Sequence, residues 1–347
     1  MIISASYKTD IPTFYGEWFM NRLQAGYCKM VNPYSQQVYR VDLTPESVDG
    51  FVFWTKNIGP FLRHLPEVRK MGYPLIVQHT ITGYPRELEY RVINYAHTIE
   101  HMKELARTYG PHVAVWRYDP IVISSLTPID WHMWNFEKLA KSLEGTTDEV
   151  VVSFAQIYKK TRRNMDWAAR EFSFRWREHE AMTHGSVRNL ISELAQIAQS
   201  YGMRMKICSQ KAFLILGITE EARCVDAQRL ELVCGRSIAD RIELRGNRKE
   251  CGCFASKDIG EYDTCPHGCV YCYAVQHRNL ALERYKAHDP KGELLFPPKD
   301  YISGDEEKDI SQIIPLPEVR KHGQSQSSLG GEKNGNREVE QQRLFER

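Results

Sequence analysis

The amino-acid sequence predicts an α/β fold built on a parallel sheet, either open or closed into a barrel. Short apolar segments rich in β-branched and aromatic residues alternate with longer segments whose apolar residues recur at helical spacing. Strand and helix repeated in this way are typical of parallel strands joined by crossover helices. A chain of 347 residues is long enough for one large α/β domain or two ordinary ones.

Six segments are predicted as strands, and a seventh leads into a group of cysteines. The strands are predicted at residues 2–6, 50–56, 74–83, 113–121, 149–158 and 204–210, and the seventh near 251–260. Helices are predicted between them at residues 13–26, 58–72, 87–108, 131–143 and 187–202. These elements predict a folded domain over residues 1–298. The composition then becomes polar and poor in aromatic residues, which predicts a flexible tail over 299–347.

Composition and charge exclude few classes of function. Hydrophobic residues make up 42% of the chain and charged residues 26%, as in an ordinary soluble domain. The net charge of +2 is too small to indicate nucleic acid or membrane by itself. No apolar run approaches the roughly 20 residues that span a bilayer. The start, "MIISASYKTDIP", lacks a basic segment followed by an apolar one. We therefore expect a cytoplasmic protein without a membrane partner.

Nine cysteines are more than an ordinary chain of this size contains, and five of them fall within residues 251–272. In a reducing compartment, such clustering indicates metal ligands or redox centres rather than disulfides. Cys265, Cys269 and Cys272 have the spacing C-x3-C-x2-C, which suits a compact loop whose sulfurs converge on one face of a cubane cluster. Zinc ribbons usually bring C-x2-C pairs and four ligands, and bacterial ferredoxins use a different spacing. A structural zinc or an inert cluster is the alternative.

The loop "CPHGCVYCYA" (265–274) resembles that of the radical S-adenosylmethionine (radical SAM) enzymes, in particular the spore photoproduct lyase-like branch, where C-x-H-G-C-x-Y-C-Y-A recurs. The resemblance implies a [4Fe–4S] cluster on these cysteines, with S-adenosylmethionine on the open fourth iron. An electron from the cluster then cleaves the sulfonium to give a 5′-deoxyadenosyl radical. It also implies an external electron donor such as a flavodoxin or ferredoxin.

Four earlier segments resemble cofactor-binding segments of the same branch. They are "SASYKTDIP" (4–12), "FWTKN" (53–57), "HTITG" (79–83) and "WRYDPI" (116–121). In the branch these segments follow the cluster loop, whereas here they precede it in the same order. The resemblance therefore implies a parallel (β/α) TIM-like barrel, circularly permuted so that the cluster-binding first strand and loop are at the C-terminus. Through "CGCFASKDIGEYDTCPHGCVYCYA" (251–274), the chain also resembles a bacterial family known only as a domain of unknown function.

Charged residues at the predicted carboxyl ends of strands are candidates for cofactor binding, since ligands bind at that rim of a parallel barrel. Lys56 could pair with the cofactor carboxylate and Asp119 with a ribose hydroxyl. Arg117 could bind that carboxylate or an anionic substrate. The structural alternatives are an ion pair between Arg117 and Asp119, and a solvated Lys56.

Three further residues complete the predicted cofactor site. The resemblance assigns Thr9 and Asp10 to it, although an Asp before Ile-Pro is also an ordinary turn or helix cap. Tyr271 is expected to pack near the adenine or to shield the cluster. His267, inside the cluster loop, is expected to order the loop or to bond a cluster sulfide.

The remaining cysteines predict a second metal site. Cys251 and Cys253 form a C-x-C pair, and a closed site needs four ligands. Cys208 and Cys224 are the predicted partners, and Cys234 is the substitute. An auxiliary [4Fe–4S] cluster is the preferred occupant and zinc the alternative. The alternative interpretation is that these are ordinary cysteines buried in the core, since free cysteine is among the most buried residue types.

Residues 159–180 interleave basic and aromatic residues. Such a segment could bind nucleic acid by backbone contact and base stacking, but an amphipathic helix covering the barrel is favoured because acidic residues dilute the patch. The sequence thus predicts a radical SAM enzyme that abstracts a hydrogen atom from an unknown substrate. Nucleotides or nucleic acid are the preferred substrate class. The alternatives are a non-catalytic Fe–S or zinc protein that senses redox state or supports a partner, and a nucleic-acid-binding module without chemistry.

Overall fold

An eight-stranded parallel sheet organises the chain in the computed structural model, which describes residues 1–298 and 301 apart from 33, 34, 36, 247 and 249. The strands are β1 (Ile2–Ala5), β2 (Tyr27–Val31), β3 (Val38–Asp42), β4 (Gly50–Thr55), β5 (Leu75–Thr80), β6 (Ala114–Ile121), β7 (Ile123–Ser124), β8 (Glu149–Phe154), β9 (Trp176–Arg177), β10 (Arg204–Ile207), β11 (Glu220–Glu221) and β12 (Ser256–Asp258). The order in the sheet is β11-β10-β8-β6-β5-β4-β1-β12. The predicted α/β class and parallel sheet are confirmed.

Helices connect these strands. They are α1 (Ile11–Phe14), α2 (Gly16–Ala25), α3 (Leu65–Lys70), α4 (Tyr95–Tyr109), α5 (Ile129–Ser142), α6 (Lys159–Glu171), α7 (His184–Ser200), α8 (Ala227–Cys234) and α9 (Arg278–Lys286). Short 3₁₀ helices lie at Gly59–His64, Pro111–Val113, His179–Ala181, Lys211–Phe213 and Ala239–Arg241. Within the described part of the chain, no helix is both long enough and apolar enough to cross a membrane.

The last strand of the described residues, β12, pairs with the first, β1. Ile2 of β1 lies opposite Ser256 of β12, and Ser4 lies opposite Asp258, in parallel register. Asp258 strengthens this edge because its carboxylate accepts hydrogen bonds from the hydroxyls of Ser4 and Ser6, at 2.7 and 2.8 Å. The cysteine loop that follows β12 therefore leaves the sheet beside the segment that follows β1.

Barrel closure stays a prediction. Among the described residues, no strand pairing joins β11 to β12, the two ends of the sheet. The segments next to these two strands nevertheless contact each other, since the backbone N–H of Phe254 donates to the carbonyl of Val225 at 3.0 Å. The predicted tail, 299–347, lies outside the described residues apart from Tyr301.

Both faces of the sheet are buried, as expected for parallel strands. Alternate residues point to opposite faces. Phe51 and Phe53 of β4 join the larger apolar core together with residues of the surrounding helices. Val52, between them, belongs to a second apolar cluster on the other face, which includes Leu230 of α8. Arg229 of α8 donates to the carbonyls of residues 111, 112 and 114, so this helix covers the amino edge of the sheet.

The predicted helix at 87–108 is wrong at its start. Helix α4 begins at Tyr95, and the side chain of Asn94 caps it by accepting the N–H of Ala96 at 2.9 Å. Residues 84–94 are irregular, because their backbone groups bond to other parts of the chain: Arg91 N–H donates to the carbonyl of His267 at 2.9 Å. The sequence also missed β11 and the β2–β3 hairpin.

Candidate metal centre and cofactor site

The loop after β12 brings Cys265, Cys269 and Cys272 together. A turn bonds the Cys272 N–H to the Cys269 carbonyl at 3.2 Å, and Gly268 takes a positive φ of 73° between the ligands. Burial raises the pKa of all three thiols. Negative charge on Cys272 raises the pKa of Cys265 and Cys269 further, and Cys265 does the same to Cys269. The loop therefore holds its three thiols in surroundings that favour the neutral form.

The donor set of the loop is three cysteine thiols. Iron–sulfur clusters are held by cysteine thiolates, and a four-iron cluster binds each thiolate to a different iron. Three thiols in one short loop therefore fit such a cluster by their chemistry. Across the residues that the structure describes, no three His, Cys, Asp or Glu side chains are arranged to hold a metal ion, so the geometry of a bound cluster stays a prediction.

Asp10 ties the cluster loop to the sheet. Its carboxylate caps α1 by accepting the Thr13 N–H at 2.9 Å, and it accepts the Lys56 N–H at 2.8 Å. His267 Nε2 donates to the same carboxylate at 2.8 Å. Burial raises the pKa of Asp10, but the hydrogen bond and charge of His267 outweigh it and hold that pKa below its usual value. The helix-cap reading of Asp10 is confirmed, and His267 orders the loop as expected.

Lys56 is buried and ion-paired rather than solvated. Its Nζ lies 2.7 Å from Oε1 of Glu89. The same oxygen accepts hydrogen bonds from the hydroxyls of Thr82, at 2.6 Å, and Tyr271. Burial lowers the pKa of Lys56, but the negative charges of Glu89 and Cys269 raise it above its usual value. The Lys56 ammonium, in turn, lowers the pKa of Cys269 against the effect of burial.

Glu89 was missed by the sequence reading because it falls inside the segment predicted as helix. In the structure it forms a bridge with Cys269, and the Val270 N–H donates to the carbonyl of Leu88 at 3.1 Å. Asn94, whose side chain can cap a helix, was the signal that could have placed the start of the helix after this segment. The irregular segment places a buried carboxylate against the cluster loop.

Arg117 and Asp119 form the ion pair that was the structural alternative. Asp119 also accepts the hydroxyl of Ser153. The other end of the Arg117 guanidinium points elsewhere: Nη1 lies 2.9 Å from the sulfur of Cys224 and 3.2 Å from Oε1 of Gln78. The structure thus brings Arg117 to the second group of cysteines, whereas Lys56 contacts the first.

The second group of cysteines also converges. The sulfur of Cys224 lies 3.5 Å from that of Cys208. The sulfur of Cys253 accepts the backbone N–H of Cys224 at 3.2 Å, and Cys251 packs against the apolar cluster that contains both residues. Cys234 ends α8, and its sulfur lies 3.9 Å from the carbonyl of Arg236. The four predicted partners therefore meet, and the substitute is directed elsewhere.

Three buried polar groups near the cluster loop have no hydrogen-bond partner within the described chain. They are the hydroxyl of Thr9, Nδ1 of His267 and both ring nitrogens of His79. A buried polar atom without a partner costs about 1–3 kcal/mol. Thr9 and His267 both adjoin Asp10 and the cluster loop, so their vacant hydrogen-bonding positions suit a polar ligand bound there. The cofactor roles of Thr9, Asp10 and Tyr271 stay predictions.

The basic segment forms the amphipathic helix that was favoured. Met165 and Ala168 of α6 are buried in an apolar cluster with Val270 and Tyr271 of the cysteine loop. The side chain of Arg163 donates to the carbonyl of Gln276 at 2.7 Å. Helix α6 therefore packs on the cluster loop through its apolar face and carries its basic residues outside. Nucleic-acid binding by this face stays a prediction.

A charged cavity of about 390 Å³ lies away from the cysteines. Its lining includes Glu149 and Arg204, the first residues of β8 and β10, together with Arg229 of α8. Arg229 is paired with Asp148 and Glu149 there. The amino edge of a parallel sheet serves stability more often than chemistry, so we do not assign the functional site to this cavity.

The fold and the site define an α/β protein with a parallel eight-stranded sheet and a three-cysteine loop beside a buried Lys–Glu–Tyr network. The model of a family described as "Domain of unknown function (DUF1848)" matches residues 2–274, and the chain belongs to this family. No curated protein matches the chain.

Proposed function

We propose that the protein is a radical SAM enzyme. Cys265, Cys269 and Cys272 would hold a [4Fe–4S] cluster whose fourth iron binds S-adenosylmethionine. The observation that carries the proposal is a short loop with three cysteine thiols, which lies against the Lys56–Glu89 pair through the bridge between Glu89 and Cys269. When bound, the cluster supplies the electron that cleaves the cofactor. An external donor such as a flavodoxin or ferredoxin, in a reducing cytoplasm, would supply that electron to the cluster.

We also propose a circularly permuted (β/α) barrel. Two features support it. The last strand, β12, lies beside β1, so the sheet order continues from the end of the chain to its beginning. At the other end of the sheet, the backbone bond between Phe254 and Val225 links the segments next to β12 and β11. A chain cut between two neighbouring strands of a barrel keeps its strand neighbours, so permutation leaves the site intact.

The surrounding side chains supply what the cofactor needs. Thr9 offers a buried hydroxyl and His267 a ring nitrogen, and each lacks another partner within the described chain. Lys56 offers a buried ammonium to the cofactor carboxylate. Tyr271 covers one side of the site, because its ring is buried and its hydroxyl is fixed on Glu89. Asp119, which is only partly buried, keeps the proposed ribose contact.

The experiment is cofactor cleavage. Protein reconstituted anaerobically with iron and sulfide, then given dithionite and S-adenosylmethionine, is expected to release 5′-deoxyadenosine. The matched control is a variant with Cys265, Cys269 and Cys272 all changed to Ala, which should release none. Absence of 5′-deoxyadenosine from wild-type protein whose loop cluster is fully assembled would refute the proposal.

A second candidate is a non-catalytic Fe–S protein that senses redox state or supports a partner. One observation favours it: each cation predicted for the cofactor is already neutralised, Lys56 by Glu89 and Arg117 by Asp119. Such a protein would assemble the loop cluster and show reversible reduction, but it would neither bind nor cleave S-adenosylmethionine. The same assay separates the two candidates. Nucleotides or nucleic acid are the preferred substrate class. This preference rests on the resemblance to the spore photoproduct lyase-like branch and on the basic outer face of α6.

A further inference from the structure

Four thiols meet at the opposite side of the sheet from the chain's first cysteine, Cys28. Cys208 directly follows β10, Cys224 follows β11, and Cys251 and Cys253 precede β12. Three separate segments therefore deliver them. The sulfurs of Cys208 and Cys224 lie 3.5 Å apart, and the sulfur of Cys253 accepts the backbone N–H of Cys224 at 3.2 Å. Cys251 packs against the apolar cluster that contains Cys224 and Cys253. None of the nine cysteines, all of them in the described residues, forms a disulfide.

Hydrogen-bond donors point at these sulfurs. Cys253 Sγ accepts the backbone N–H of Cys224 at 3.2 Å and that of Val225 at 3.4 Å. Cys224 Sγ accepts a hydrogen bond from Nη1 of Arg117 at 2.9 Å, and Arg117 is only 4% exposed. An N–H or guanidinium donor stabilises a thiolate more than a neutral thiol, because the bond is then charge-assisted. Donors to the sulfurs are also what tunes iron–sulfur clusters.

Ordinary core packing does not require this arrangement. A buried cysteine that only fills space behaves as a small hydrophobe with a weak S–H donor. Desolvating a guanidinium is costly unless its donors are used. Asp119 uses one end of the Arg117 guanidinium, and the other end is directed to Gln78 and Cys224. A cluster held by four thiolates is a net anion, so it would be matched by this buried cation.

We propose that Cys208, Cys224, Cys251 and Cys253 hold a second metal centre, an auxiliary [4Fe–4S] cluster with four protein ligands. Arg117 is its positioning residue. This centre is separate from the loop that the proposed radical chemistry uses, and its existence does not depend on that chemistry. The ligand set is four cysteines, the set that holds [4Fe–4S] clusters, and zinc on the same four thiolates is the alternative that the iron analysis separates.

The test isolates the second centre by removing the first. In a variant with Cys265, Cys269 and Cys272 changed to Ala, reconstituted anaerobically, we expect about four irons and four sulfides per chain, and about eight of each in the wild type. The variant should also give the electron paramagnetic resonance signal of a reduced four-iron cluster. Adding Cys251→Ala and Cys253→Ala to it should abolish iron binding.

Cys234→Ala is the matched control, since the sulfur of this cysteine lies 3.9 Å from the carbonyl of Arg236 and is not a proposed ligand. It should keep the full wild-type iron content. The variant that lacks the three loop cysteines keeps all four cysteines of the second site. Its iron content therefore tests the second site even if the variant without Cys251 and Cys253 misfolds. If the loop variant binds no iron, or binds one zinc instead, the second cluster does not exist. If it binds about four irons while wild-type protein binds no more and releases no 5′-deoxyadenosine, the second centre stands and the proposed function fails.

Discussion

The ammonium of Lys56 lies 2.7 Å from Oε1 of Glu89, with the two side chains 12% and 4% exposed. This pair joins the end of β4 to the irregular segment after β5. Tyr271 donates to the same carboxylate oxygen, so the pair is also bonded to the cluster loop. A lysine that was expected at a strand end is therefore held in place by a carboxylate 33 residues away along the chain.

Lys56→Met should weaken binding of S-adenosylmethionine and leave the loop cluster in place. A charge-assisted contact is worth about 1.5–3 kcal/mol, so the dissociation constant should rise roughly 10- to 150-fold. Isothermal titration of the reconstituted variant measures this, with iron content as the check on the cluster. Glu89→Gln is the matched control, because it removes the competing charge and keeps an acceptor for Tyr271. It should bind the cofactor at least as tightly as wild type. Affinity of Lys56→Met within twofold of wild type would contradict the assigned role.

Changing Cys265, Cys269 or Cys272 singly to Ala should remove the loop cluster and abolish 5′-deoxyadenosine release. Each thiolate binds a different iron, and the loop holds no spare cysteine. Iron analysis and product chromatography on the three variants check this, with Cys234→Ala as the control that keeps both properties. A single variant that retained both the cluster and cofactor cleavage would show that the three-cysteine assignment is wrong.

The six main strands could be predicted from the sequence, because apolar runs bounded by turn residues indicate strands with buried side chains. The side chains on both faces of this sheet are buried. The sequence also predicted that Cys208, Cys224, Cys251 and Cys253 would lie together, because strand-end and loop positions at the rim of a barrel can converge on the 251–253 loop. The ion pair of Arg117 with Asp119 was predicted as an alternative, but the contact of Arg117 with Cys224 could not be predicted. That contact depends on the register of strands far apart in sequence, and register decides which face and which neighbour a side chain meets.

Glu89 and Asp258 illustrate a different limit. Both are buried carboxylates that several donors fix in place, and neither lies in a pattern that distinguishes it from a surface acid. Glu89 follows an apolar strand, in a segment whose apolar residues recur at a spacing typical of a helix. Asp258 falls in a three-residue strand, too short for periodicity to report its facing direction. Their roles depend on contacts made across 182 and 254 residues, to Tyr271 and Ser4 respectively.

Asp258→Ala should destabilise the fold and disorder the cysteine loop. The carboxylate accepts from the hydroxyls of Ser4 and Ser6 and from the N–H groups of Tyr7 and Gly260, at 2.7–3.0 Å. Leaving such buried donors without an acceptor should lower the free energy of unfolding by about 3 kcal/mol. Urea unfolding measures it.

Asp240→Ala, at an exposed position, is the control for Asp258→Ala and should change the free energy of unfolding by less than about 0.5 kcal/mol. Loss of the loop cluster should accompany the destabilisation at Asp258, because β12 positions that loop. Equal stability of the two variants would show that the β1–β12 edge does not depend on this carboxylate.

Arg117→Gln should lower the midpoint potential of the second cluster. A nearby positive charge stabilises the reduced cluster, which carries one more negative charge, so its removal makes reduction harder. Arg117→Lys keeps the charge and should restore most of the potential. Redox titration followed by electron paramagnetic resonance, in the variant that lacks the loop cysteines, reports this cluster alone. An unchanged potential in Arg117→Gln would place the guanidinium away from the cluster.

His79 should make the stability of the fold fall as the pH is lowered from 7 to 5.5. Both ring nitrogens are buried without a partner in the described chain, and burial lowers the pKa of His79 to about 3. Asp10 raises that pKa, while the charges of His101 and Lys56 lower it. The unfolded chain takes up the proton near pH 6.5 and the folded chain does not, so between these pKa values the unfolded state binds more protons.

The contribution of neutral His79 to the free energy of unfolding is present above about pH 6.5. It is lost progressively as the pH falls toward 3, by up to about 1.4 kcal/mol per pH unit. Between pH 7 and 5.5 the wild-type free energy of unfolding should fall by about 1 kcal/mol more than that of His79→Leu. Urea midpoints of the two proteins at both pH values measure it. His132, whose burial lowers its pKa to about 4, is present in both proteins, and its contribution cancels in the comparison. Parallel pH profiles of wild type and His79→Leu would mean that His79 finds a partner for its proton inside the fold.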